Sequence, residues 1–161
     1  MKKIFRFAVL LSFTFVSLHS YAQNNGPQLG CKDPYILTQA KGLKEGLQAQ
    51  GFEVLNDAML SMQTREDFPV VVRMKQGEFY QVVFVGNTRS NKMNLELFDS
   101  EHKSLLHKEQ KPMQQTSNVI SFSYTPETSG DYMFVLSQVI KQKTSCGSFT
   151  ILRLKSKETK K

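Results

Sequence analysis

The stretch Val119–Val135 reads Val-Ile-Ser-Phe-Ser-Tyr-Thr-Pro-Glu-Thr-Ser-Gly-Asp-Tyr-Met-Phe-Val. Ile120, Phe122 and Tyr124 alternate strictly with Ser121 and Ser123, a Pro-to-Gly turn follows, and a second apolar strand begins at once. Alternation of this kind puts one face of a strand in a core and the other in water. The same grammar reaches back to about Phe68, with turn signals roughly every ten residues. About eight strands at that spacing predict an antiparallel two-sheet sandwich of jelly-roll type. The pattern fixes an architecture and carries no activity with it.

Residues 1–22 have the form of an export signal. Lys2, Lys3 and Arg6 precede the uncharged apolar run Phe7–Leu18, and Ser20-Tyr21-Ala22 offers small residues for cleavage before Gln23. The run is shorter than the ~20 residues a membrane span needs, so no stable membrane insertion is expected after cleavage. The expected address is the periplasm or the extracellular space. Residues 23–32 read as a flexible leader, 33–154 as one domain, and 155–161 as a basic tail.

Charge and cysteine content narrow the class further. The chain has 21 Lys and Arg against 14 Asp and Glu, for a net charge of +7. The signal holds three of the basic residues, so much of the remaining excess sits in the tail. Nucleic acid is not an expected partner of an exported chain; a protein or a glycan is, and the chain is expected to be a monomer. The two cysteines, Cys31 and Cys146, form an even pair in an oxidising compartment and predict a disulfide.

One helix precedes the strands. Asp33 is placed to cap it and Pro34 to start it, Gly51 to stop it, and Ile36, Ala40, Leu43 and Leu47 share a face. Gly42 and Gly46 weaken it, and their spacing suggests a close backbone approach to a packed surface. Phe52–Met62 reads as a strand broken near Asn56-Asp57, Lys75–Glu78 as a hairpin turn, and Glu109–Asn118 as a polar loop. The strands Phe79–Val85, Tyr132–Leu136 and Phe149–Leu154 carry apolar residues on both faces, which requires cover on both. The helix is the available cover, and the proposed disulfide would hold it there; an exposed apolar binding surface is the rival reading.

The motifs Gly77-Glu78-Phe79-Tyr80-Gln81-Val82, Met93–Asp99, Ile120-Ser121-Phe122, Ser129–Val135 and Cys146–Ile151 occur in an order and spacing that resembles the bacterial pre-peptidase C-terminal domain family. The resemblance covers Gly77–Leu154, about half the chain. It implies a small β-sandwich that accompanies secreted enzymes and binds matrix or carbohydrate, without catalytic residues. This chain is expected to differ in standing alone, with an added helix.

Chemistry-bearing patterns are sparse. After the signal the histidines are His102 and His107, with Glu101 as the sole further ligand nearby, so no metal site and no cofactor are expected. No nucleophile elbow, metalloprotease helix, phosphate loop or dinucleotide fingerprint occurs, and no catalytic residue is assigned. Asp57, Glu66, Asp67, Asp99, Glu101 and Asp131 could form a carboxylate pair only through folding; turns and caps explain most of them, with a weak calcium site at Asp99 and Glu101 as the alternative. The methionines read as core filler. A glycan platform would have to use Tyr35, Tyr80, Tyr124 and Tyr132, because tryptophan is absent. The expected function is a non-catalytic binding or accessory module; the alternatives are a secreted hydrolase with a loop-built site and a periplasmic structural or chaperone-like protein.

Overall fold

A computed structural model describes residues 28–115 and 117–155. The expected signal and all of the basic tail but Lys155 lie outside the described residues. Nine strands and one helix follow one another as β1 (Gln28–Leu29), α1 (Pro34–Ala49), β2 (Phe52–Gln63), β3 (Phe68–Met74), β4 (Tyr80–Val85), β5 (Lys92–Phe98), β6 (Ser104–Gln110), β7 (Val119–Tyr124), β8 (Gly130–Val139) and β9 (Thr144–Leu154). They form two antiparallel sheets, β1-β2-β9-β4-β7 and β3-β8-β5-β6. The sandwich with one packed helix is the architecture that the alternation implies.

The alternating residues meet between the sheets. Tyr80, Val82 and Phe84 of β4 and Phe149 and Ile151 of β9 face Met93, Leu95 and Leu97 of β5 and Tyr132, Phe134 and Leu136 of β8. The rings of Phe134 and Phe149 lie 5.3 Å apart across the gap. Gly147 lets the sheets pack closely here: a Cβ at this position would stand 3.0 Å from the Phe84 ring and 3.1 Å from the Met62 sulfur, tight enough that the neighbours would have to give way.

Two connections differ from the sequence reading. Lys75–Glu78 is not a hairpin turn, because β3 and β4 belong to different sheets. It is an arch between sheets, and Gly77 supplies the positive φ of +74° that the arch needs. The Pro-to-Gly segment after β7 is a second arch. The two arches lie side by side, with Gly77 N–H donating to Pro126 O at 3.0 Å and Gln76 N–H to Ser129 Oγ at 2.8 Å.

The expected break in β2 is a β-bulge. Val54 pairs with Leu152 and Asn56 with Ile151, which leaves Leu55 unpaired. One extra residue reverses the phase of a strand. Phe52 and Val54 therefore face the helix side, whereas Ala58, Leu60 and Met62 face the core between the sheets.

Helix α1 covers the outer face of the five-stranded sheet. Asp33 Oδ1 accepts from Tyr35 N–H and Ile36 N–H, Pro34 sits in the first turn, and Gly51 follows the helix at φ +95°. Ile36 and Ala40 are buried with Val83, Val85 and Leu152, and Leu47 packs beside them. Leu43 does not share that role: it remains 37 % exposed. Gly42 and Gly46 lie on open helix surface, where a Cβ at either position would meet nothing within 4 Å, so the expected close approach is not made. Lys44 pairs with Asp57, which also accepts from Thr150 Oγ1 at 2.8 Å, and Gln39 and Asn118 exchange two amide hydrogen bonds.

Cys31 and Cys146 are bonded, 115 residues apart, with Cα atoms 5.7 Å apart. Cys146 packs on the same apolar cluster as Ile36. The disulfide thus holds the entrance of α1 against β9, as the sequence reading requires. The stretch 23–32 read as a flexible leader contains β1, where Gln28 pairs with Ser61 and Leu29 with Leu60.

Candidate functional site

A groove lies at the end of the sandwich where β9 finishes and the first arch begins. Its volume is about 770 Å³, and Glu53, Lys75, Gly77, Glu78, Phe79, Arg153, Leu154 and Lys155 line it. Register explains its centre. On β9 the inward positions run Phe149, Ile151, Arg153, so the apolar series ends in a guanidinium at the mouth of the core. Arg153 is opposite Glu53 on one side and Tyr80 on the other. The β2 bulge, by reversing the strand phase, is what turns Glu53 to this side.

The polar groups are bound to one another. Arg153 Nε donates to Glu53 Oε1 at 2.8 Å, and Arg153 Nη2 also meets that oxygen. Arg153 Nη1 donates to Glu78 Oε1 and Oε2 at 3.2 and 3.1 Å. Tyr80 OH donates to Glu78 Oε2 at 2.7 Å and accepts from Lys75 N–H at 2.9 Å. The Tyr80 hydroxyl bond, with help from Arg153, holds the Glu78 carboxyl below its ordinary value. Burial, with the Glu78 carboxylate beside it, pushes the Tyr80 phenol up. Glu53 and Glu78 also hold Arg153 charged.

The rim is different in character. Lys75 Nζ stands 4.0 Å from Glu78 Oε1, at the limit of pairing, and its side chain is 69 % exposed. Lys155 is exposed on the other strand end. Phe79 and Leu154 are 40 % and 43 % exposed, and the Phe79 ring leans on Phe52 at 6.1 Å. By register Leu154 stands with Phe52 on the helix face of the sheet, beside Phe79, whereas Glu53, Tyr80 and Arg153 stand on the inward face, where two carboxylates meet one guanidinium and Lys75 approaches them from the rim.

A second surface is open in another way. The helix covers one sheet only. Met133 and Val135 of β8 point outward from the four-stranded sheet, beside Val71 and Pro69 of β3 and Phe98 of β5. The expected helical cover of Tyr132–Leu136 is thus not there, because that strand lies in the sheet away from α1. Val71 is 61 % exposed. On this face Lys92 pairs with Glu109 at 2.8 Å, and His107 Nδ1 lies 3.0 Å from Glu96 Oε1.

The other candidates fall in separate places. His107 belongs to that outer face, and His102 sits at φ +60° in the β5–β6 turn. Asp99 Oδ1 accepts from Glu101 N–H and Lys103 N–H, which is turn chemistry. Tyr80 and Tyr132 are buried, Tyr124 and Tyr132 stack edge to face at 5.8 Å, and Tyr35 is out on the helix, so the four tyrosines form no platform. Met62, Met74 and Met93 fill the core, whereas Met113 is exposed. The groove residues Glu53, Glu78, Phe79 and Arg153 do not stand out as site candidates in the sequence. The available signal is a charge on the inward period of the last strand.

No family model matches the chain, and no curated protein matches it. Among solved structures, the chain is similar to PliG from Aeromonas hydrophila, a periplasmic inhibitor of g-type lysozyme, at 12 % identity and a TM-score of 0.46, over 65 % of this chain and 89 % of that one. It is also similar to a CBM4 structure, at 10 % identity and a TM-score of 0.41, over 65 % of this chain and 79 % of that one.

Proposed function

We propose that this is a non-catalytic binding or accessory module, exported to the periplasm or beyond the cell, of the kind that pre-peptidase C-terminal domains represent. Its ligand lies in the groove at the end of the sandwich. One observation carries the reading: the groove's ionisable groups are committed to each other. Glu78 is held ionised and Tyr80 protonated, so the carboxylate does not serve as an acid at neutral pH and the phenol does not serve as a base. What the lining offers instead is a concave surface with exposed apolar groups at Phe79 and Leu154, which is a means of holding a ligand.

The test is affinity electrophoresis of the exported protein through gels containing a panel of soluble polysaccharides, followed by analysis of the same polysaccharides for cleavage. Retardation that Phe79→Ala weakens, with the polymer recovered at full length, supports the reading. Cleavage products that form with the wild-type protein and vanish in Glu78→Gln would establish the hydrolase alternative instead.

A further inference from the structure

We infer that the Cys31–Cys146 disulfide is a redox-sensitive latch: a dithiol that reduces it frees α1 from the sheet while the sandwich stays folded.

The first argument is that the molecule has two cores. The residues packed between the sheets and those packed under the helix form separate clusters with no member in common. The five-stranded sheet divides them. Val82, Phe84 and Ile151 belong to the inner core, and Val83, Val85 and Leu152 to the cluster under α1. The helix packs on β2, β9 and β4 of that sheet. The inner core therefore keeps all its members when α1 leaves, which is the condition for one part of a fold to open by itself.

The second argument is how little else holds the helix. Eleven of its sixteen residues are exposed, and Ile36 and Ala40 alone are buried. A helix of this length with Gly42 and Gly46 inside it does not persist in water once undocked. Its polar ties to the sheet, among the described residues, are Lys44 with Asp57 and the amide pair of Gln39 and Asn118. At its C-terminal end the chain passes through Gly51 straight into β2. At its N-terminal end the two-residue strand β1 and the bond from Gly30 N–H to Met59 O are the backbone ties, and the disulfide is the covalent one. With the bond intact, an undocked segment 31–51 is a loop fixed at both ends; with the bond broken, one end is free. In the chain-entropy account, freeing a loop of about this length moves the opening equilibrium by about a hundredfold. The short pairing of β1 retains part of that closure.

The chemistry is thiol–disulfide exchange. Neither Cys31 nor Cys146 is fully buried, and access is what thiolate attack requires. One thiolate of the dithiol attacks a cysteine sulfur, the S–S bond breaks, and the released cysteine takes up a proton. The second thiol then displaces the other cysteine from the mixed disulfide. The dithiol leaves as a disulfide, and the protein has gained two hydrogens.

The experiment is amide hydrogen exchange through a series of low urea concentrations. It compares the disulfide-intact protein, the protein reduced with dithiothreitol, and Cys31→Ser with Cys146→Ser without reductant. Reduction should speed exchange in residues 37–48 by about tenfold or more. The urea slope of those amides should be shallower than that of Val82–Phe84, Leu95–Leu97 and Phe134–Leu136, because a local opening exposes less surface than global unfolding. The double variant should reproduce both results, and reoxidation of the wild-type protein should restore protection.

Exchange in α1 that reduction leaves unchanged would overturn the inference, since burial and the polar ties would then hold the helix by themselves. Helix and core amides that accelerate together, with one urea slope, would overturn it too, because the two cores would then open as a unit. Loss of the folded sandwich on reduction would do the same.

Discussion

Truncating Ile36 to alanine tests how the helix is held. Ile36 is 1 % exposed and sits among Ala40, Val83, Val85 and Leu152. The substitution removes three buried carbons, worth about 0.8 kcal/mol each in transfer free energy, or about 2.4 kcal/mol. An unfilled cavity adds about 1 kcal/mol, and alanine's better helix propensity returns about 0.4 kcal/mol. The expected loss is about 3 kcal/mol, a fall in Tm of roughly 10 °C for a domain of this size. Leu43→Ala is the contrast. Leu43 falls on the same helical stripe by spacing but is 37 % exposed, so its truncation should cost about half as much, roughly 1.5 kcal/mol. Urea unfolding of both variants, with the disulfide intact, gives the two values. Losses of equal size, or an Ile36→Ala loss within about 0.5 kcal/mol of zero, would refute the reasoning that α1 is anchored by its first two turns.

Gly42→Ala and Gly46→Ala, both on open helix surface, should each raise stability by up to about 1 kcal/mol, read as a higher urea midpoint. Arg153→Ala leaves Glu53 and Glu78 facing each other at a mouth that is about a third exposed; solvent screening limits the loss to about 1–2 kcal/mol, measured the same way. Because Glu78 is held below its ordinary value of 4.5, its contribution to stability is complete above about that pH and disappears as pH falls through the lowered folded-state value. A pH series of unfolding should show that decline, and Glu78→Gln should flatten it. Cys31→Ser with Cys146→Ser should cost about 2–5 kcal/mol, and the native protein should release two thiols only after reduction, read by intact mass.

The parts of this fold that are legible in the sequence are those where burial and period agree. Val82, Phe84, Ile120 and Phe122 alternate because one face of each strand is wet or lies under the helix, and their core role follows from spacing. Asp33, Pro34 and Gly51 announce the helix ends by local chemistry alone. The disulfide follows from an even cysteine pair behind a stretch that reads as an export signal. What is hidden depends on which sheet a strand joins. Lys75–Glu78 has the residues of a tight turn, and only the partner of β3, which is β8, shows that the segment crosses between sheets. The same holds for Met133 and Val135, which are half-buried and point away from the helix because β8 lies in the sheet remote from α1. The groove is hidden for a further reason. Glu53, Glu78 and Arg153 lie as much as a hundred residues apart in sequence, and the bulge at Leu55 that turns Glu53 inward reads locally as a broken strand. Of the four tyrosines considered for a platform, three are drawn into the sandwich, and the exposed ring at the groove is Phe79.

The central claim is that the groove at the end of the sandwich is where this protein holds a ligand without altering it. The most direct measurement is amide NMR of the ¹⁵N-labelled, disulfide-intact protein titrated with an oligosaccharide of a polymer that retards it in the gels, with the sugar recovered and sized afterwards. Saturable shifts should concentrate at Glu53, Lys75–Tyr80 and Arg153–Lys155, and the sugar should return at its original length. Shifts centred instead on Val71, Met133 and Val135 of the open sheet face, or a shortened sugar, would contradict the account.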